Sequence, residues 1–293
     1  MEHPARLTVG VVGAGRVGAV LGAALARAGH HVTGVSAVSE ASLARAADLL
    51  PGVPVREVPE VVADAELVLL AVPDDALAGL VAGLSATGAW QAGQIVVHTS
   101  GRHGVTVLEP TRRHHVLPLA LHPAMTFTGT AMDLDRLTEC CFGVTTDDVL
   151  RPVAEALVVE MGAEPVWVAE ADRGAYHAAL AHGANHLVTL TSEAMELLSG
   201  AGVAEPRRVL GPLMRAALDN ALRLGDAALT GPVARGDVGT VEDHLRELDR
   251  LSPEIRRTYV ALARATALRA LDSGRLRPAS AEPLLDTLSD QEP

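Results

Sequence analysis

Residues 13 to 18 read Gly-Ala-Gly-Arg-Val-Gly, between an apolar run at Leu7 to Val12 and a helix-period segment at Val17 to Ala28. In a G-x-G-x-x-G turn each glycine has its own task. Gly13 permits the tight turn, Gly15 lets a pyrophosphate reach the backbone, and Gly18 lets the helix pack on the strand. Free N–H groups at the helix N-terminus then receive the negative charge. Gly13, Ala14, Gly15, Arg16, Val17 and Gly18 are therefore the candidate dinucleotide contacts, against the plainer reading of a structural turn. The cofactor is chosen at the end of the second strand, where an acid about 20 residues on would hold a ribose 2′-hydroxyl. That position is Ser36, followed by Ala37, Val38 and Ser39. Small hydroxyls at Ser36 and Ser39 favour NADP. NAD stays open, because the usual arginine partner of a 2′-phosphate is missing, with Val38 in its place.

A second group of residues falls at the ends of apolar runs, where such sheets bind ligands. Val72-Pro73 and Ser100 are expected to border the nicotinamide, although Pro73 and Asp74 also suit a loop and a helix cap. His122 ends another run, stiffened by Pro123. His177 and Asn185 lie on one α-helical face with Ala181, four residues apart. Hydride transfer needs a proton delivered alongside it, and histidine titrates in the right range. His177, Asn185 and His122 are the catalytic candidates, with packing histidines as the competing reading. Tyr176 is grouped with the substrate-binding residues, although a neighbour in sequence points about a quarter turn away. His182 and His186 have chelate spacing but no third ligand at a familiar distance, so no metal is expected. Arg235, after Gly231-Pro232, suits a substrate carboxylate, or else pairs internally with Asp237 or Asp243. Thr240 followed by Asp243 reads as a helix-start signature.

The elements that position these residues change character along the chain. Up to about Glu170, short apolar runs alternate with helical segments, the pattern of a parallel sheet with crossover helices. Strands are expected at Leu7 to Val12, His31 to Val35, Val55, Leu67 to Val72, Ile95 to Thr99, Val116 to Leu121, Cys141 to Val144 and Val166 to Val168. Helices are expected at Val17 to Ala28, Glu40 to Leu50, an Asp-capped Ala76 to Leu84, and Val149 to Met161. Beyond Glu170 the pattern is helical only: Ala171 to Leu198, Pro206 to Leu224, Thr240 to Leu248 and Glu254 to Leu271, then a short or frayed tail from Pro278. The domains are thus 1–169, dinucleotide-binding, and 170–293, helical.

The 293 residues are 48% hydrophobic and 20% charged, enough for a large core, with only 2% aromatic residues. A net charge of −12 makes nucleic acid a poor partner. The chain has no lysine, and all 24 of its cationic residues are arginine, which excludes Schiff-base and P-loop chemistry. Adjacent Cys140 and Cys141 would point to opposite faces of a strand, so no disulfide is expected. With no leader visible at Met1 to Thr8 and no run long enough to span a membrane, the expectation is a cytoplasmic protein without a membrane partner.

Val11–Gly22 (VVGAGRVGAVLG), Leu121–Gly129 (LHPAMTFTG), Tyr176–Asn185 (YHAALAHGAN) and Thr230–Leu245 (TGPVARGDVGTVEDHL) together carry a resemblance. They resemble the bacterial family with a Rossmann-like domain followed by a domain of unknown function, DUF2520. That family lies within the 6-phosphogluconate-dehydrogenase-like superfamily, with ketopantoate, pyrroline-carboxylate and prephenate enzymes. The resemblance implies a doubly wound α/β Rossmann domain, an all-helical C-terminal domain and a homodimer. The last segment is also similar to the substrate-contacting region of ketopantoate reductases. This match implies substrate roles for Thr230, Asp237 and Glu242 or Asp243. Those reductases carry a lysine and two asparagines at the spacing where this chain has His177, Ala181 and Asn185. The expected activity is NAD(P)H-dependent reduction of a small oxo acid or imine held between the domains. Ketopantoate reduction and a non-catalytic dinucleotide sensor or assembly protein are the alternatives.

Overall fold

The computed structural model describes residues 6–289, so Met1–Ala5 of the segment read for a leader, and residues 290–293 of the tail, lie outside it. The chain divides into two compact units, residues 1–183 and 184–293. Among the described residues no helix is long and apolar enough to cross a membrane.

The first unit is built on a seven-stranded sheet: β1 (Thr8–Val12), β2 (His31–Ser36), β3 (Leu67–Leu70), β4 (Ile95–His98), β5 (Leu117–Pro123), β6 (Cys141–Thr146) and β7 (Glu164–Trp167), in the order β2-β1-β3-β4-β5-β6-β7. Alternate residues of a strand point to opposite faces, and both faces here are covered. Leu67 and Leu69 join one core with Leu21, Leu25 and Leu157. Val68 and Leu70 join another with Leu77, Val81 and Trp90. With helices on both faces and reversal of strand order at β1, the doubly wound architecture read from the sequence stands. Close approach relies on small residues: a Cβ on Gly10 would lie 2.4 Å from the Val61 carbonyl oxygen on the helix Val58–Ala63.

Four local expectations change. Val55 forms a single bridge to Val35, not a strand, because the chain turns into the helix Val58–Ala63 directly afterwards. β6 runs antiparallel to β5, since the chain between them makes no crossover and Ala124 N–H bonds back to the Cys141 carbonyl at 2.9 Å. Asp74 does not cap its helix: Pro73 is the N-cap residue, and Asp74 and Asp75 sit in the first turn of Asp74–Thr87. There they meet the positive end of the helix dipole. The long helix expected from Ala171 is broken into Arg173–Leu180, a π turn at Ala181–Asn185, and His186–Gly200. A π turn winds i to i+5, so the four-residue alignment of 177, 181 and 185 does not carry through it.

The second unit contains the helices His186–Gly200, Pro206–Leu224, Gly231–Arg235, Val238–Leu251, Pro253–Asp272 and Pro278–Ser289. Its core is aliphatic: Val241, Leu245 and Val260 pack with Ala263, Ala267, Ala270, Leu284 and Leu288. Small side chains let the helices approach where aromatic bulk is absent. The helix expected at Thr240 begins two residues earlier, at Val238. Its cap is Asp237, whose carboxylate accepts from Thr240 N–H at 3.2 Å and from the Thr240 hydroxyl at 2.8 Å. Asp243 pairs instead with Arg246.

Candidate active site

The glycine turn sits where β1 meets β3, at the point of strand-order reversal. Gly13 has φ +98°, a conformation L residues rarely adopt, and a Cβ there would lie 2.7 Å from the Ala71 carbonyl oxygen and 3.4 Å from Val72. A Cβ on Gly18 would meet the Gly13 carbonyl oxygen at 2.0 Å. Gly15 is different: its φ is −68°, and nothing lies within 4 Å of a Cβ placed on it. The space over Gly15 is therefore open at the head of the helix Arg16–Arg27, whose first turn carries no acid. A pyrophosphate fits such a cradle. Arg16 and Val17 form the first turn of that helix, and Ala14 N–H bonds the Ser36 carbonyl at 2.9 Å.

The two serines singled out for the ribose end are engaged locally. Ser36 is buried, and its hydroxyl accepts from Gly13 N–H at 3.0 Å. Ser39 caps the helix Glu40–Leu49, accepting from Ser42 N–H at 3.2 Å. The guanidinium of Arg45, a residue not singled out in the sequence, reaches back from this helix and donates to the Ala14 carbonyl at 3.3 Å. Its signal was an arginine in the second turn of the helix Glu40–Leu49, visible only once the helix is laid beside the glycine turn.

At the ends of β4 and β5 a second cluster forms within the first unit. His122 Nδ1 lies 3.0 Å from the Tyr176 hydroxyl. The His122 ring stands edge-on to Tyr176, centroids 5.6 Å apart, and to His177, 6.2 Å apart. Tyr176 and His177 thus reach the same imidazole although they are consecutive, because His122 sits between their two directions. Glycines clear the space. A Cβ on Gly101 would lie 2.6 Å from the His177 ring and 2.9 Å from His122 Nε2, and one on Gly143 would lie 2.5 Å from the Tyr176 hydroxyl.

Beneath this cluster lies Arg173, 1% exposed. It donates from Nε to the Thr145 hydroxyl at 2.7 Å and from Nη2 to the Ala120 and Gly143 carbonyls, both at 3.0 Å. Arginine cannot shed its proton, so a full positive charge sits under the site. Burial, and after it the Arg173 charge and His177, push the His122 pKa down to about 4. At neutral pH the His122 ring is held in its neutral form. Burial also raises the Tyr176 phenol, with Arg173 opposing. His122 is therefore a neutral hydrogen-bonding group and a poor store of protons.

The loop after β4 has its own supports. Ser100 N–H donates to His98 Nδ1 at 3.2 Å, which leaves His98 Nε2 to donate to the Gly104 carbonyl at 2.9 Å. Ser100 Oγ accepts from His103 N–H at 3.2 Å. Glu170 accepts from Val105 N–H at 2.8 Å and Thr106 N–H at 3.2 Å. Arg173, Gly101, Gly143 and Glu170 were not legible as site residues, since their roles depend on which strands and loops meet.

Of the remaining candidates, Asn185 ends the π turn and is exposed. In the second unit Thr230 borders a cavity of about 400 Å³ together with Glu193, His244, Thr258 and Tyr259. Tyr259 and His244 are hydrogen-bonded at 2.9 Å. Arg235 is exposed, and Asp237 is occupied as the helix cap described above.

Residues 2–123 match the Rossmann-like domain, and residues 140–266 match DUF2520, a domain of unknown function. No functionally curated protein matches the chain. Among solved structures it is similar to a candidate NADP oxidoreductase from Bacteroides fragilis, at 24% identity and TM-score 0.76 over 89% of this chain and 98% of that one. An imine reductase from Pseudomonas sp. is similar at 19% identity and TM-score 0.64, over 96% and 100% of the two chains. An imine reductase from Myxococcus stipitatus in complex with NADP+ is similar at 18% identity and TM-score 0.63, over 96% and 100%. The likeness to these solved structures is one of fold, and the sequence matches are to a Rossmann-like domain followed by DUF2520.

Proposed function

We propose that this Rossmann-like and DUF2520 protein is an NAD(P)H-dependent oxidoreductase that reduces a small oxo acid or an imine. The observation that carries the reading is the His122–Tyr176–His177 cluster at the C-terminal ends of β4 and β5, in a sheet whose β1 ends in an open glycine cradle. In such sheets the ligand crevice lies outside these strand ends. The bound nicotinamide would supply hydride; the chain must bind it, orient the substrate and deliver a proton. Gly13 to Gly18 hold the pyrophosphate, with Val72, Pro73 and Ser100 beside the ring. His122, neutral and fixed by Tyr176, hydrogen-bonds the substrate oxygen or nitrogen. His177 delivers the proton, because His122 carries one too rarely to serve. Asn185, Thr230 and Arg235 are assigned to substrate recognition, and residues 170–293 to the helical substrate and dimerisation domain. A homodimer is proposed because two helices of the second unit expose apolar side chains.

The test is turnover by the purified full chain with NADPH and with NADH against a panel of 2-oxo acids and cyclic imines. Oxidation of either cofactor that depends on one panel member supports the reading. Tight dinucleotide binding with no turnover across the panel would replace it with that of a non-catalytic dinucleotide sensor.

A further inference from the structure

We infer that Arg45 supplies the cation that recognises a 2′-phosphate, so that the site selects NADPH; this rests on the dinucleotide reading above. The end of β2 lacks both usual determinants. No acid stands at Ser36 to hold a 2′-hydroxyl, and Val38, at the position where an arginine would be sought, is 97% exposed and apolar. The cation arrives instead from the following helix. One Nη of Arg45 donates to the Ala14 carbonyl inside the glycine turn, which fixes the guanidinium at the ribose end of the cradle. Its remaining donors are not used by any carboxylate: among the described residues neither Arg45 nor Arg16 forms an ion pair, although most arginines of this chain do. The carboxylates of the same helix, Glu40 and Asp48, are exposed and do not pair with it. A guanidinium with free donors in a fixed plane is suited to two-point binding of phosphate.

The loop that follows β5 is shaped around these two arginines. Gly129 has φ +79°, and a Cβ on it would lie 2.9 Å from Arg45 Cδ and 3.0 Å from Arg16 Cγ. The backbone therefore lies directly on both stems. Asp133, fully buried, holds that loop in place by accepting from Thr128 N–H at 2.8 Å and Gly129 N–H at 2.7 Å. Stems so confined lose less freedom when the head group binds an anion.

Dissociation constants for NADPH and NADH, measured by calorimetry on the full chain and on Arg45→Gln and Arg45→Lys, test this. The wild type should prefer NADPH by about tenfold or more, the size of one charge-assisted contact. Arg45→Gln should abolish that preference while NADH affinity stays within about twofold, and Arg45→Lys should keep part of it. Rising salt should weaken NADPH more than NADH. Equal loss of both cofactors in a folded Arg45→Gln protein would overturn the inference, because Arg45 would then merely brace the turn. If Arg45→Gln does not fold, a reduced preference in Arg45→Lys supports the inference and an unchanged preference overturns it. NADH binding with no NADPH preference in the wild type overturns this inference alone; binding of neither removes the dinucleotide reading beneath it.

Discussion

Gly15 and Gly18 belong to one turn, yet a side chain at each should fail for different reasons. At Gly15 the backbone is ordinary and the space is open, so Gly15→Val should fold with an unchanged melting temperature. It should nevertheless lose NADPH binding by calorimetry, since the valine would stand where the pyrophosphate must approach. At Gly18 the added carbon would collide with the Gly13 carbonyl oxygen, so Gly18→Val should destabilise the fold itself. Normal affinity in Gly15→Val would remove the cradle from the site. The histidines divide in the same way. His177→Ala should cost about a hundredfold in turnover with dinucleotide affinity unchanged, as expected for a lost proton donor. Full activity in that variant would move proton delivery from His177 to water. Tyr176→Phe should raise KM more than it lowers kcat, because it removes the hydroxyl that fixes His122 without touching the donor.

The ends of β4 and β5 each carry a histidine whose neutrality is part of the fold. Burial pushes His98 down to about 4, and His122 likewise. An unfolded histidine titrates near 6.5, so between about pH 6.5 and 4 the unfolded chain binds more protons than the native one. The stability from both groups is complete above the unfolded pKa and is lost as pH falls towards the folded values. Each group steepens the loss by up to about 1.4 kcal/mol per pH unit. Urea midpoints should therefore drop from pH 7 to pH 5, and less steeply in His98→Gln; a flat profile would mean that these rings are protonated in the native state. How far such elements were legible in the sequence varies for physical reasons. β1, β3 and β4 were readable because strands covered on both faces are continuous apolar runs. Gly13 to Gly18 were readable because their task is local to six residues. The direction of β6 was not, since Cys141 to Val144 has the same pattern whichever way it pairs. The π turn at Ala181–Asn185 was hidden because the residues there suit an ordinary helix. Arg173 was hidden because a lone arginine on a helix reads as surface, and its acceptors, Thr145, Ala120, Gly143 and Ser100, come from strands and a loop distant in sequence.

At the scale of the whole molecule, an interior poor in aromatics is consistent with two aliphatic units, and the helical one leaves part of its apolar surface uncovered. The helix His186–Gly200 has no buried residue, and Pro206–Leu224 has only Leu210. Val209 and Leu213, and Leu218 and Leu222, are pairs four residues apart along the second helix, and their exposures run from 47% to 80%. Each pair lies on one face of the helix, and the two pairs, about two and a half turns apart, lie on opposite sides of it. Helices of this length owe most of their stability to packing such a face, and among the described residues the Val209–Leu213 face is left uncovered. Fully covering one leucine is worth about 1.5 to 3 kcal/mol, and association costs at least about 4 kcal/mol before any gain appears. A symmetric pair covers the face of both copies, doubling the gain for one association cost, which favours a second copy of this chain as the occupant. The protein should therefore sediment as a dimer at micromolar concentration. Val209→Glu with Leu213→Glu would put four charges into that interface, two per copy, and should shift the protein to monomer. Both positions are exposed in the single chain, so the circular dichroism of the separated subunits should be retained. A wild type that sediments as a monomer under the same conditions would rule out the homodimer.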